Sequence, residues 1–318
     1  MKSKRLSPSL FSCVFLLKDG QFHSGNDLGS SLGISRAAIS KIMNTLKSYQ
    51  AEIEVSKTQG YRLKKPLILL DAEKIQAGLN TKMPVDIFEF VTSTNDYLLP
   101  LDISSAPRVC LAEYQTAGRG RFIRSWQATF GQSILLSYLY PCYEDVSTLS
   151  GFSLMIAVSL ASVINRPDLK IKWPNDLYLG DKKLGGILIE LRAQSHSETK
   201  VIIGIGINVM PPEDLKSSVA SLVDLKNLKN LELDRNKLII SFLNQLEKDL
   251  ILFKSKGLSA FLERFSELDY LKGREVTLTQ HHEKHMGIAM GIDAQGALLI
   301  KKGEVIERYS AGDTSLAF

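Results

Sequence analysis

The chain has 318 residues, which is too long for one ordinary domain and predicts two or three. Hydrophobic residues make up 44% and charged residues 23%, a composition typical of soluble globular proteins, and no apolar run approaches the roughly 20 residues that a bilayer-spanning helix needs. The positive charge lies at one end, because residues 1–66 carry eleven Lys and Arg against four Asp and Glu, a net charge of +7, whereas the remainder carries −2.

The first segment has the pattern of three helices. Apolar residues recur at helical spacing over residues 6–17, and two further helical patterns lie on either side of Gly33. Ser24 and Ser35 stand where these two helices need a capping side chain, and Gly33 permits a tight turn between them. The segment therefore predicts a helix-turn-helix.

Two short strands at residues 53–55 and 61–63, joined by a polar tip that contains Gly60, predict the hairpin of a winged helix. Because the exposed start of the second helix of such a motif enters the major groove, and because this segment is basic, we expect it to bind DNA. A winged helix used for protein contact is the alternative. The residues predicted to contact bases or phosphates are Ser35, Arg36, Ala37, Ser40, Lys41, Lys57 and Arg62.

The central segment begins with a strand at 85–90 and a helix capped by Ser93 or Thr94, whose free N–H groups suit ligand oxygens. A second strand at 109–115 leads into residues 118–124, which hold three arginines and two glycines. Glycine lets the backbone approach a ligand closely, and guanidinium groups match phosphate or carboxylate. We therefore predict a loop that closes over an anion, with a charged, solvated loop as the alternative.

A second group of polar residues follows a proline. Pro174 interrupts the strand pattern of residues 170–179, and Asn175 and Asp176 come directly after it. Because Mg²⁺ prefers carboxylate and carbonyl oxygens, this pair predicts a magnesium and phosphate site. Small residues in the strand at 201–208 leave room for a flat ligand. The other elements predicted here are strands at 133–140 and 182–191, a buried helix at 149–164, and helices at 234–256 and 258–268.

The last segment, from residue 271, has short strands separated by glycine-containing turns, which predicts a small β-barrel. His281, His282 and His285 fall in one polar hairpin; a solvated turn is the interpretation we favour, and a metal site is the alternative. The three cysteines show neither disulfide nor metal-ligand spacing, which predicts a reducing cytoplasm. The predicted strands lie at 275–278, 287–291, 297–300 and 305–309.

Taken together, the motifs resemble those of the biotin protein ligase family. The resemblance extends over essentially the whole chain and includes the winged helix, as in the subclass that also represses the biotin synthesis operon. It implies an α+β fold with a winged helix-turn-helix at 1–66, a class II synthetase-like mixed-sheet catalytic domain at 67–270 and an SH3-like β-barrel at 271–318. The motifs, in family order, are Ser93-Thr94-Asn95, Gly118-Arg119-Gly120-Arg121, Lys172-Trp173-Pro174-Asn175-Asp176, Lys183-Leu184-Gly185-Gly186 and Gly204-Ile205-Gly206-Ile207-Asn208.

The resemblance implies that biotin and magnesium ATP form biotinyl-5′-AMP, and that biotin then passes to a lysine of a biotin carboxyl carrier protein. It also implies an adenylate-bound homodimer that binds operator DNA. Such catalysis rests on positioning and charge neutralisation rather than on an enzyme nucleophile. Ile123 stands where this subclass often has a glycine, and a branched residue stiffens the loop.

Residue by residue, the resemblance implies the following roles. The catalytic pair is Lys183 and Arg121. The biotin-binding residues are Ser93, Thr94, Asn95, Gln115, Gly118, Arg119, Gly120, Arg121, Lys183, Gly186, Gly204 and Gly206. The ATP-binding residues are Arg121, Arg124, Trp126, Lys172, Asn175, Asp176 and Asn208, with Asp176 as a magnesium ligand.

Three other functions stay open on the sequence. The first is a lipoate-type ligase or acyltransferase on the same scaffold, against which the Lys172–Asp176 motif argues. The second is a repressor that senses biotin without catalysis, against which Lys183, Arg121 and Asp176 argue. The third is a biotin ligase whose winged helix does not bind DNA.

Overall fold

The computed structural model of this chain describes residues 8–49, 51–195, 198–210, 219–222, 234–280 and 282–316. The chain folds into a helical block with a hairpin, a central sheet with helices, and a second sheet. The helices are α1 (Pro8–Leu17), α2 (Gly25–Leu32), α3 (Arg36–Ser48), α4 (Ala72–Gly78), α5 (Thr94–Leu98), α6 (Phe152–Ile164), α7 (Arg235–Lys256) and α8 (Leu262–Leu268). The strands are β1 (Ile53–Ser56), β2 (Gly60–Leu63), β3 (Val85–Val91), β4 (Arg108–Gln115), β5 (Ser133–Cys142), β6 (Leu169–Lys172), β7 (Asp176–Leu179), β8 (Lys182–Ser195), β9 (Glu198–Asn208), β10 (Glu275–Gln280), β11 (Glu283–Ile292), β12 (Leu298–Lys302), β13 (Val305–Tyr309) and β14 (Asp313–Leu316).

The first block is the predicted winged helix-turn-helix. Ser24 and Ser35 cap α2 and α3, because their side chains accept hydrogen bonds from the N–H groups of Asp27 and Ala38 at 3.1 and 3.2 Å. Gly33 turns the chain between the two helices at φ 64°, where a residue without a side chain is favoured. The antiparallel pair β1–β2 forms the wing. The buried core of the helices consists of Leu10, Cys13, Val14, Leu17, Leu28, Ile39, Met43 and Leu46.

The second block is a seven-stranded mixed sheet in the order β3-β4-β5-β9-β8-β7-β6. Strands β3 and β4 run parallel, and the other neighbours run antiparallel. Helices α6 and α7 share one hydrophobic core with this sheet. The α+β class and the mixed central sheet predicted from the sequence are confirmed.

The expectation that no apolar run is long enough to span a bilayer was wrong for one stretch. Residues Val146–Ile164 are long and apolar enough to cross a membrane, contrary to that expectation. In the structure they form a 3₁₀ turn followed by α6, and Met155, Ile156 and Ala157 of α6 are fully buried. The stretch is therefore apolar because it packs inside the protein's own core.

The third block is a five-stranded antiparallel sheet in the order β13-β12-β11-β10-β14. Strand β14 was not predicted from the sequence, and it returns the chain toward the central block. The indole N–H of Trp173 donates to the carbonyl of Gly296 at 2.9 Å, and the Thr314 hydroxyl donates to the Trp173 carbonyl at 3.0 Å. These two bonds join the second sheet to the turn between β6 and β7.

A buried ion pair holds the connection between the first two blocks. Arg235, at the start of α7, and Glu113, on β4, are each 2% exposed and lie 2.6 Å apart. The guanidinium also donates to the carbonyls of Ile68 and Ser133, while Glu113 accepts the N–H of Leu70. The pair therefore ties the segment after the wing to both β4 and α7.

We expect Glu113→Ala to lower the free energy of unfolding by about 3–5 kcal/mol, because it leaves the Arg235 charge buried and unpaired. Urea unfolding followed by tryptophan fluorescence measures the change. Glu54→Ala is the control, since Glu54 pairs with Arg62 at 2.7 Å on the surface, where such pairs contribute about 1 kcal/mol or less. Equal effects of the two substitutions would contradict the stabilising role of the buried pair.

Candidate active site

A cavity of about 370 Å³ opens at the end of the central sheet. Its wall comes from the start of α5, the end of β4, the arginine-containing loop, strands β7 to β9, and one residue of β14. The lining residues are Ser93, Thr94, Asn95, Gln115, Arg119, Gly120, Arg121, Phe122, Arg124, Ser125, Trp126, Gln127, Asn175, Asp176, Lys183, Gly186, Ile187, Leu188, Gly204, Ile205, Gly206, Asn208, Val219 and Asp313.

The structure brings the predicted biotin and ATP residues to this one cavity, apart from Gly118 and Lys172, which are not among its lining residues. A side chain at Gly118 would meet Gln115 Nε2 and the Trp126 carbonyl at 3.0 Å, so Gly118 lets the loop close on itself. Lys172 ends β6, opposite Asp176 of β7, with its Nζ 3.4 Å from the hydroxyl of Tyr178. The lining residues that sequence reasoning missed are Phe122, Ser125, Gln127, Ile187, Leu188, Ile205, Val219 and Asp313.

One end of the cavity is neutral and polar. Gln115 Oε1 accepts the backbone N–H of Thr94 at 2.7 Å and the Thr94 hydroxyl at 3.0 Å. Ser137 donates to Asn95 Oδ1 at 2.5 Å, and Asn95 Nδ2 donates to Glu190 at 2.7 Å. Fixed amide and hydroxyl groups of this kind suit a neutral ring with N–H and C=O groups.

The start of α5 differs from the prediction. Ser93 occupies the N-cap position, but its side chain makes no capping hydrogen bond. Gln115, from the end of β4, caps the Thr94 N–H instead. The prediction that Ser93 or Thr94 caps this helix through its own side chain was therefore wrong, because a partner from another strand takes that role.

Two glycines of β9 make room for side chains that cross the sheet. A Cβ at Gly204 would lie 2.5 Å from Asn95 Oδ1, and a Cβ at Gly206 would lie 2.5 Å from Trp126 Cε2. Neither distance is tolerated without a shift, so any side chain here would displace Asn95 or the indole. The predicted space on the sheet is therefore partly filled by the protein's own groups.

The arginine-containing loop is closed at its base and held at its tip. At the base, Gly120 N–H donates to the Arg124 carbonyl and Trp126 N–H donates to the Gly118 carbonyl, at 2.7 and 2.8 Å. At the tip, Phe122 has a φ of 54°, a left-handed backbone that is uncommon for a residue with a side chain.

Each arginine of the loop bonds to a different part of the molecule. Arg119 pairs with Asp96 of α5 and with Glu190 of β8. The Arg124 guanidinium donates to Asp313 of β14 at 2.5 Å. Ile123 lies beside it, but the Ile123 side chain is outside the described residues, so its stiffening effect stays a prediction.

Arg121 has neutral partners in the described chain. It donates to Asn175 Oδ1 at 3.2 Å and to the Gly312 carbonyl at 3.1 Å. Burial lowers the pKa of Arg121, and the charges of Asp313 and Asp176 oppose that effect. An anion in the cavity would therefore gain a direct partner in this guanidinium.

Lys183 and Asp176 form an ion pair at the same end. Lys183 Nζ lies 2.8 Å from Asp176 Oδ1 and 5.9 Å from the centre of the Trp126 ring. A Cβ at Gly186 would stand 3.2 Å from the Asp176 oxygen and 3.4 Å from Lys183 Nζ, so the glycine leaves room for the pair. The ammonium group is thereby held at the cavity wall.

The donor set at this end fits a magnesium ion that arrives with a nucleotide. Asp176 supplies a carboxylate and Asn175 an amide oxygen, and Asp313 lies on the same wall. Mg²⁺ is usually held by one or two carboxylates together with substrate phosphates and water. The described residues contain no cluster of three or more His, Cys, Asp or Glu side chains, so such an ion would need its other ligands from phosphate and water.

Comparison with known proteins supports the interpretation of this geometry. Residues 87–208 match the model of the biotin/lipoate A/B protein ligase family, residues 272–316 match the biotin protein ligase C-terminal domain, and residues 11–62 match a helix-turn-helix domain. The bifunctional ligase/repressor BirA of Salmonella typhimurium is 38% identical over 95% of this chain and 96% of its own length. That of Bacillus subtilis is 30% identical over 95% of this chain and 96% of its own length.

This chain belongs to the biotin protein ligase family. The biotin protein ligase of Aquifex aeolicus, solved in complex with biotin and ATP, superimposes with a TM-score of 0.63 at 28% identity, over 74% of this chain and 98% of that one. The family, the enzyme class and the helix-turn-helix predicted from the sequence are thus confirmed. The protein is an enzyme of the biotin ligase class that carries the helix-turn-helix of a ligase/repressor.

The residues predicted to contact DNA are exposed in the structure, except for one. Ser35, Arg36, Ala37, Ser40 and Lys41 are exposed at the start of α3, and Lys57 is exposed at the tip of the wing. Arg62 is instead half-buried. Its guanidinium donates to Glu54 at 2.7 Å and lies 4.4 Å from the centre of the Phe22 ring, so its contact with DNA stays a prediction.

The described residues of the histidine hairpin in the C-terminal sheet give no support to a metal site. His281 lies outside the described residues. His285 lies beside Lys302 Nζ at 3.3 Å, and its ring centre is 4.9 Å from that of Tyr309.

Lys172 provides a prediction about pH. Burial lowers the pKa of Lys172, and the nearby charges of Lys183 and Arg124 lower it further, while Asp176 and Asp313 oppose them. The ammonium charge is therefore lost, as pH rises, earlier than for an ordinary lysine. If that charge assists the ligase, kcat/KM for ATP falls on the alkaline side as Lys172 deprotonates.

Lys172→Arg keeps the charge to much higher pH, so we expect the alkaline limb of the kcat/KM profile for ATP to move upward. Lys170→Arg is the matched control on the same strand, because Lys170 Nζ donates to the Glu267 carbonyl outside the cavity. An alkaline limb at the same pH in both variants would show that Lys172 is not the group that titrates.

Proposed function

We propose that this protein condenses biotin with ATP to give biotinyl-5′-AMP and pyrophosphate, and then transfers biotin to a lysine of a biotin carboxyl carrier protein. The observation that carries the proposal is the polarity of the single cavity described above. Thr94, Asn95 and Gln115 present neutral hydrogen-bonding groups at one end, whereas Lys183 and Arg121 present cations at the other. The first end suits the ureido ring of biotin, and the second suits its carboxylate beside the phosphates of ATP.

In the first step, a carboxylate oxygen of biotin attacks the α-phosphorus of ATP. The new O–P bond forms as the bond from the α-phosphorus to the bridging oxygen breaks, and pyrophosphate leaves with the electron pair. Lys183 and Arg121 neutralise the charge that builds up on the phosphate oxygens, because fixed cations at the cavity wall need no rearrangement during the reaction. Asp176 would hold the magnesium that accompanies ATP and lowers the phosphate charge.

In the second step, the neutral amine of a carrier lysine attacks the acyl carbon of the mixed anhydride. The C–O bond to AMP breaks, AMP leaves with the electron pair, and the nitrogen releases one proton to solvent as the amide forms. This sequence is carried by positioning and by charge neutralisation.

The nucleotide end is supported by a second observation. Trp126 Nε1 is buried and has no hydrogen-bond partner among the described residues. A buried donor without a partner costs about 1–3 kcal/mol, and an acceptor on the nucleotide would remove that cost. We assign Trp126, Arg124 and Asn208 of the cavity lining to ATP, together with Lys172, which interacts electrostatically with Asp176 and Asp313. We assign Ser93, Arg119, Gly120, Gly186, Gly204 and Gly206 to biotin, with Gly118 shaping the loop.

The helix-turn-helix supports a second function, repression of biotin synthesis genes. We propose that adenylate binding promotes a homodimer in the cytoplasm and that the dimer binds operator DNA through α3 and the wing tip. The domains we propose for these roles are residues 1–66, 67–270 and 271–318. The support is the exposed basic start of α3, with Arg36 and Lys41, in the same chain as the ligase cavity.

Pyrophosphate release tests the ligase function directly. Purified protein with magnesium ATP should release pyrophosphate when biotin is added. It should not do so with lipoate or octanoate, because these acids lack the ureido ring. Release with lipoate alone would assign the chain to the lipoate-type ligases, and no release with any acid would indicate a biotin-sensing repressor without catalysis.

Sedimentation and DNA binding test the repressor function. Biotinyl-5′-AMP should raise the mass of the protein toward a dimer and increase its affinity for DNA from the promoter of biotin synthesis genes. Arg36→Ala should weaken DNA binding by at least fivefold and leave pyrophosphate release unchanged, because Arg36 lies on the exposed start of α3. Unchanged mass and unchanged DNA affinity with the adenylate would contradict the coupling.

A further inference from the structure

Glu190 lies behind the cavity wall and joins two of its parts. It is carried by β8, and its side chain is 15% exposed. One carboxylate oxygen accepts from Asn95 Nδ2 at 2.7 Å and from the Arg119 guanidinium at 3.2 Å. Asn95 belongs to α5 and Arg119 to the base of the arginine-containing loop, so a single carboxylate connects the two.

The bond to Glu190 determines which way the Asn95 amide faces. An ionised carboxylate only accepts hydrogen bonds, so the nitrogen of the amide must face Glu190. The oxygen then faces Ser137, which donates to it at 2.5 Å, and Gly204 leaves the space that the amide occupies. Without the carboxylate, the amide would lose the group that distinguishes its nitrogen from its oxygen.

The same carboxylate restrains the loop. Arg119 lies between Glu190 and Asp96, which come from a strand and a helix on different parts of the wall. The backbone bonds of Gly118 and Gly120 close the loop at this point. A guanidinium held by two carboxylates has little freedom to rotate, so the base of the loop is fixed against β8 and α5.

We infer that Glu190 is a positioning residue for biotin, which fixes the Asn95 amide and the base of the arginine-containing loop in the arrangement that binds the ring end of the substrate. The inference rests on the proposed assignment of Asn95 and Arg119 to biotin. Glu190 itself is absent from the lining of the cavity, so its effect on biotin passes through these two residues.

Glu190→Gln tests the inference, because it keeps the size of the side chain and removes the charge. Steady-state pyrophosphate release should show a KM for biotin raised at least tenfold, a kcat within about threefold of the wild type and an unchanged KM for ATP. Equilibrium dialysis with labelled biotin should show the same loss of affinity. Glu190→Asp keeps the charge and should recover part of the affinity.

A double-mutant cycle with Arg119→Gln tests whether Glu190 acts through the loop. Arg119→Gln should weaken biotin binding strongly in the wild type and by less than threefold in the Glu190→Gln background. Glu307→Gln is the matched control, because it also removes a carboxylate from an ion pair, with Lys302 at 2.6 Å, on a different sheet. The control should leave the KM for biotin within twofold.

The outcomes separate the inference from the function on which it rests. Wild-type protein without biotin-dependent pyrophosphate release would overturn the ligase assignment. If the wild type is active and Glu190→Gln and Glu307→Gln have the same KM for biotin, the role of Glu190 is overturned. The ligase assignment then stands. A fall of kcat, of both affinities and of the thermal midpoint together would also overturn it, since it would indicate a structural role.

Discussion

The concentration of positive charge around one cavity is the constraint on which the rest of the structure depends. Arginines and lysines within one small volume repel one another, so each needs a compensating group. Lys183 has Asp176, Arg124 has Asp313, and Arg119 has Asp96 and Glu190. These carboxylates come from β7, β8 and α5 of the central block and from β14 of the C-terminal sheet, so two blocks of the fold supply the partners of the loop arginines and of Lys183.

Among the loop arginines, Arg121 has no carboxylate partner in the described chain, and this bears on catalysis. In the described chain its two hydrogen-bond partners are neutral oxygens, from Asn175 and from the backbone of Gly312. Burial disfavours its charge, and a phosphate or carboxylate would restore a direct partner. The site therefore offers its least compensated cation to the substrate, while the paired cations hold the wall in place.

The loop that closes the cavity also continues toward the winged helix. Phe130 follows Trp126 by four residues, and its N–H donates to the Tyr49 carbonyl at 3.3 Å. Its ring lies 5.1 Å from that of Phe90, which lies 5.2 Å from that of Tyr49. Contacts between the end of α3 and the segment after the loop thus pack the helix-turn-helix block against the segment that continues from the cavity wall.

The sequence by itself determined the order of elements, the winged helix, the loop and most of the residues that line the cavity. Helix caps, glycine turns and apolar periodicity depend on residues that are close in the sequence. Ser24, Ser35 and Gly33 therefore predict the helix-turn-helix without any tertiary information. Only the tertiary structure decided the partners of the charged groups, the capping of α5 by Gln115 and the pairing of Arg62 with Glu54, whereas the burial of α6 was predicted from its apolar sequence. Asp313 and Glu190 lie 189 and 71 positions from the arginines they meet, and only strand register and the packing of the two sheets bring such distant residues together.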